Sequence, residues 1–172
     1  MSSEIIWPWW VRLSHWLVAL GIFLLWLLTY VYYETDAWHR GLGYAVLGLV
    51  LLRIVAACFT RVTAARLTLP RWQALSSHLV HLKQKQLPVV YGHNPLGQLA
   101  VYVIWALIAL LGFTGWLSRT DQYWGEDWPV ALHACLSYAL MVMVALHLVA
   151  VYVVSRLSRQ HLLKQMIDGK PH

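Results

Sequence analysis

Between Val130 and Val154 lie 25 residues without one Lys, Arg, Asp or Glu, yet with two histidines, His133 and His147. A stretch of that length crosses a bilayer as a helix. A polar ring inside such a helix is costly, so it normally faces the bundle interior and meets a partner there. The two positions are 14 apart. At about 100° per residue their directions differ by roughly 40°, so both rings share one face. At about 1.5 Å per residue they stand roughly 21 Å apart along the axis, one near each membrane surface. Two imidazoles at opposite depths of one helix suit two haems, one per leaflet. The alternative is a pair of interfacial histidines hydrogen-bonded to neighbouring carbonyls.

The elements that must position these rings are apolar and few. The chain has 172 residues, 60% of them hydrophobic and 12% charged, with mean hydropathy +0.57. Soluble domains carry about 25% charge, so an integral membrane protein of one domain, residues 1–172, is expected. The formal charge of +6 would suit nucleic acid, but the basic residues sit between apolar runs, which points to membrane topology. No basic residue precedes Arg12 and no small-residue cleavage site is evident. The first run is therefore expected to remain as a helix, not to be removed as a signal peptide. Aromatic residues such as Trp7, Trp9, Trp10, Tyr32, Tyr33, Trp38, Tyr123, Trp124 and Trp128 fall near the span ends, as an interfacial belt requires.

Four transmembrane helices are expected, over about 11–33, 39–59, 95–118 and 130–155, joined up-down-up-down. Residues 60–92 form a long polar loop with room for a short amphipathic surface helix. Gly41, Gly43 and Gly48 leave space for a close neighbour or a flat ligand, and Gly112 and Gly115 lie on the third span. Asn94 fits a helix N-cap and Pro95 the first helical position. Cys58 and Cys135 fall near opposite ends of antiparallel neighbours, beyond disulfide reach of about 7 Å, and read as small buried hydrophobes. A basic tail follows the last span.

Charge sets the orientation. Eleven of the 13 basic residues fall on the side of the N-terminus, the 60–92 loop and the tail. The two short loops hold Arg40 and Arg119 against Glu34, Asp36, Asp121, Glu126 and Asp127, a net −3. The positive-inside rule then places both termini in the cytoplasm.

Depth now sorts the histidines. His15 lies at the inner end of the first span and His147 near the inner end of the fourth. His39 and His133 lie at the outer ends of the second and fourth. Two depth-matched pairs result, His15/His147 and His39/His133. Two axial imidazoles fill both open positions of a haem iron, which favours electron transfer over oxygen binding. A metal transporter would add Asp, Glu or Cys at midplane, and none is present. Arg53 is 14 residues after His39, on the same face at inner-haem depth. It is a candidate partner for a haem propionate, as are Arg12, a turn from His15, and Arg40, beside His39. Snorkelling to lipid phosphate is the alternative, favoured for Arg12 and Arg40. His93 is a rival inner ligand, ranked below His15. His78, His81, His161 and His172 are expected to be solvated.

The segments RLSHW, HRGLGYAVLGLVLLR, GHNPLGQL, the His133/His147 pair and LLKQMIDGK resemble the bacterial cytochrome b561 family. They are closest to the branch that takes in the cytochrome b subunits of nickel-iron hydrogenases. The resemblance covers nearly the whole chain. It implies an all-α membrane protein: a four-transmembrane-helix bundle enclosing two non-covalent b haems, bis-histidine ligated, exchanging electrons with quinone in the inner membrane. The family's ligand positions fall on His15, His39, His133 and His147.

Three functions are compatible with these residues. The first is a di-haem cytochrome moving electrons between the quinone pool and a periplasmic partner such as a c-type cytochrome. The quinone site is then sought on the inner side among His93, Asn94, Arg12 and His161. The second is an enzyme, a superoxide oxidase that reduces ubiquinone, but the negative outer loops disfavour an anionic substrate. The third is a membrane anchor that docks a hydrogenase or another dehydrogenase.

Overall fold

The computed structural model describes residues 5–31, 36–66, 68–85, 87–89 and 92–171. Tyr32, Tyr33, Glu34 and His172 lie outside the described residues. The order is α1 (Trp9–Val31), α2 (Asp36–Phe59), α3 (Trp72–Lys83), α4 (Pro95–Leu117), α5 (Asp127–Ser158) and α6 (Leu162–Asp168), with short 3₁₀ turns at Thr63–Ala65 and Asp121–Tyr123. Four of these, α1, α2, α4 and α5, are long and apolar enough to cross a membrane. Among the described residues there is no strand. The fold is an all-α, multi-span bundle.

Local chemistry explains the boundaries. The Asn94 side chain accepts from the Gly97 N–H at 2.7 Å, and Pro95 takes the first helical position. Helix α5 starts earlier than its apolar run, at Asp127. Pro129 sits within its first turn, where a missing N–H costs nothing, and Asp127 suits the positive end of the helix dipole. The helix stops where Arg159 turns left-handed, at φ 55°. At 32 residues it is about 48 Å long, longer than an apolar core of roughly 30 Å.

Helix α1 packs on α2, α2 on α4, and α4 on α5. The central core joins Ile22, Val46, Val50, Ile108 and Leu140. Lipid accepts apolar side chains as readily as a core does, so close backbone approach must hold the spans together. Gly21 and Gly112 supply it. A Cβ on Gly21 would lie 2.4 Å from Val46 Cγ2, and one on Gly112 2.6 Å from Leu47 Cδ2. The glycines expected to leave room for a close neighbour or a flat ligand bring no helix in: Gly41 and Gly48 face open space, and Gly43 only touches Leu25 at 3.9 Å.

Three further expectations are corrected. Cys58 and Cys135 are free but exposed, because they sit on the outer faces of their helices, where lipid suits a small apolar side chain. His78 is buried, not solvated; it is the inward residue of α3. The tail is not merely basic: it folds as α6 and docks on the start of α1. Trp16 Nε1 donates to the Met166 carbonyl at 3.2 Å, Arg12 Nη1 donates to the Ile167 carbonyl, and the Ile6 N–H donates to the Gly169 carbonyl at 2.8 Å.

Candidate functional site

The fold brings the four histidines together in two pairs. His15 of α1 faces His147 of α5 with ring centroids 6.4 Å apart and an interplanar angle of 51°. His39 of α2 faces His133 of α5 at 6.3 Å and 66°. Both pairs bridge helices that, among the described residues, make no close backbone contact comparable to α4 on α5. The gap is the space a ligand between the rings would need. A metal–imidazole bond of about 2 Å on each side, plus about 1.2 Å from each ring nitrogen to its centroid, puts two rings sharing one iron ~6.3 Å apart.

The outer pair stands beside a large cavity of about 840 Å³, whose lining includes His39, Gly43, Gly112, Gly115 and His133. That lies in the range of cofactor pockets, about 300–1,000 Å³. His133 is held from behind. Its Nδ1 lies 3.0 Å from Thr114 Oγ1, and a Cβ on Gly115 would press on its ring at 3.3 Å. In the inner pair, His15 Nδ1 is buried with no hydrogen-bond partner. An orphaned ring nitrogen costs about 1–3 kcal/mol unless a ligand takes it. The residues therefore fit bis-imidazole haem sites at both ends. Among the described residues no group of three or more His, Cys, Asp or Glu could hold a bare metal ion. A haem asks for only two protein ligands, since the porphyrin supplies the other four nitrogens.

The arginines have other partners. Arg53 Nη1 and Nη2 both donate to the Ala65 carbonyl at 3.2 Å, and its guanidinium lies 4.9 Å from the Trp10 ring and 5.7 Å from that of Trp105. It clamps the 60–92 loop against the inner end of the bundle, with three donors to spare. Arg12 is committed to the last turn of α6, where a cation suits the helix dipole. Arg40 pairs with Asp36 at 3.9 Å, and Asp36 also binds Arg119, so one carboxylate ties both outer loops together.

Of the four residues sought for quinone, Asn94 is spent on capping α4 and Arg12 on α6. His161 is exposed ahead of α6. His93 is different. It packs edge-on against Trp7 at 4.8 Å, bonds to the backbone of Ala64, and lies close to Arg53, His15 and His147. Burial first, and the Arg53 charge second, push its imidazole down to about 4, so it is neutral at pH 7. His78 is also pushed down by burial and by His81. Sequence reasoning missed Thr114, whose role needs the α4–α5 contact to be visible.

Four apolar spans make this a polytopic helical membrane protein, and two histidine pairs face each other within it. The chain belongs to the family described as prokaryotic cytochrome b561, which matches residues 6–169. The family's role is quinone-linked electron transfer across the membrane by way of haem b. No curated protein and no solved structure matches the chain.

Proposed function

We propose that this chain is a single-domain, di-haem b-type cytochrome that moves electrons across the inner membrane between the quinone pool and a redox partner on the outer side. The observation that carries the reading is the double pairing: 6.4 Å for His15/His147 and 6.3 Å for His39/His133, at opposite ends of one helix. In this reading His15 and His147 hold the inner haem, and His39 and His133 the outer one. Bound haem supplies one-electron Fe(III)/Fe(II) chemistry.

The chain's own residues do the rest. The α1–α5 and α2–α5 gaps admit the flat ligands, and Thr114 fixes the His133 ring. Arg53, with donors left over from Ala65, neutralises a propionate at the inner site. His93, neutral and next to Arg53, is the hydrogen-bonding group best placed to meet a quinone oxygen there. Both termini are assigned to the cytoplasm, because 11 of the 13 basic residues lie on that side. The described outer rim carries Asp36, Asp121, Glu126 and Asp127 against Arg40 and Arg119, which favours a cationic partner such as a c-type cytochrome over superoxide.

The test is reconstitution of the full chain in liposomes with quinol, with reduction of external cytochrome c followed at varied ionic strength. Reduction that slows as salt rises is expected. Rapid oxidation of superoxide with no reduction of the cytochrome would replace this reading with the superoxide one. Co-purification with a dehydrogenase as a fixed complex would replace it with the anchor.

A further inference from the structure

Thr114 is among the most buried polar residues of the chain, 2% exposed, on a face of α4 that meets α5. A hydroxyl there must find partners, because a buried polar group without them is destabilising. It finds three. The Oγ1–H donates to the Leu110 carbonyl one turn back at 2.8 Å, with the Leu111 carbonyl a longer second acceptor at 3.3 Å, and Oγ1 lies 3.0 Å from His133 Nδ1. A hydroxyl has one proton. With that proton on Leu110, Oγ1 meets the imidazole as an acceptor, so Nδ1 carries hydrogen. His133 is thus held as its Nδ1–H tautomer, and the lone pair of Nε2 is free.

Gly115, next to Thr114, completes the outer device: any side chain there would push the ring, since even a Cβ would stand 3.3 Å from His133 Cε1.

We infer that Thr114 is a positioning residue for the outer haem: by accepting from Nδ1–H it sets the tautomer and orientation of the His133 ring and lowers the outer haem's midpoint potential relative to a ring without that bond. The inference rests on the reading of His133 as an iron ligand. A hydrogen bond from the far nitrogen makes the ligating nitrogen more basic. A more basic ligand stabilises Fe(III) over Fe(II), and such hydrogen bonding is one of the protein's levers on haem potential.

The test is a potentiometric titration of the full-length protein, followed in the visible spectrum and by low-temperature EPR. Wild type is compared with Thr114→Val, which keeps the shape and removes the oxygen, and with Thr114→Ser, which keeps the oxygen. His39→Ala identifies the outer haem's signal by its loss. A net bond strength of about 1 kcal/mol predicts that Thr114→Val shifts the outer Fe(III)/Fe(II) equilibrium toward Fe(II) by roughly fivefold. At 59 mV per tenfold for one electron, that is about 40 mV upward. The inner haem should not move, and Thr114→Ser should restore the wild-type value. Should Thr114→Val not accumulate, Thr114→Ala carries the same readout. Two haems with neither potential moved would overturn the role of Thr114 and leave the ligand assignment standing. Retention of both haems in His133→Ala would overturn the assignment and the inference together.

Discussion

His15 and His147 face each other with ring centroids 6.4 Å apart across two helices that do not otherwise pack closely. The pair is thus bridged by its ligand or held open by its neighbours. This leads to the first prediction. His15→Ala and His147→Ala should each remove the same haem, and His39→Ala and His133→Ala the other. Spectra of the four single variants check it. A variant that removed both haems, with its partner removing none, would break the pairing.

Arg53 forks onto the Ala65 carbonyl between Trp10 and Trp105. A charged donor on a carbonyl contributes about 1.5–3 kcal/mol, and a partly desolvated cation–π contact about 1 kcal/mol more. Arg53→Ala should free the 60–92 loop, and protease cleavage within it should quicken more than tenfold. Arg53→Lys keeps the charge but loses the fork, and should fall between the two.

The glycines separate by what they touch. Gly21→Ala drives a Cβ to 2.4 Å from Val46 Cγ2. Val46 is β-branched and stiff within a helix, so it cannot rotate away. A loss of about 1–3 kcal/mol is expected. Gly112→Ala meets the end of Leu47, at 2.6 Å, which can choose another rotamer. Thermal unfolding in detergent should therefore show a clear fall for Gly21→Ala and a smaller one for Gly112→Ala.

His93 gives the pH dependence. In the unfolded chain its imidazole takes a proton near the ordinary value of 6.5; in the fold it does so only near 4. Between those values the unfolded state binds more protons, so its contribution to stability is whole above pH 6.5 and is lost as pH falls toward 4. The groups facing it are Arg53, His15 and His147, and Arg53 stays charged throughout. Loss of the inner haem should quicken between pH 6 and 4.5. His93→Gln should flatten that profile; an unchanged profile would remove His93 from the inner site.

The docking of α6 depends on Gly169. Its φ of +81° is left-handed, and a Cβ there would lie 2.7 Å from the Trp7 carbonyl and 3.1 Å from Arg12 Nε. Gly169→Ala should detach α6 from α1. Quenching of a fluorophore on the tail by soluble quencher should rise, with the outer haem unaffected.

The parts of this molecule that follow a period were legible beforehand. Apolar runs located the four spans, Asn94–Pro95 marked the start of α4, and the depths of His15, His39, His133 and His147 along those spans pointed to the partners that the fold brings face to face. What needed coordinates depends on contacts between elements. The seven residues of α6 are too short to be stable alone, and their partners are Trp16, Arg12 and the backbone of Ile6. His78 is polar by type and buried by docking. Arg53 carried the charge expected of a propionate partner, but its neighbours Trp10 and Ala65 come from other elements. The cysteines were misjudged because a small apolar side chain is equally content in a core and in lipid.

The central claim is that each facing pair holds one haem. A pyridine haemochrome count on the purified full-length chain, with a reduced-minus-oxidised spectrum, tests it most directly. The account predicts two b haems per chain, both low-spin. A count of one would leave one pair as structure alone, and a count of zero would contradict the account.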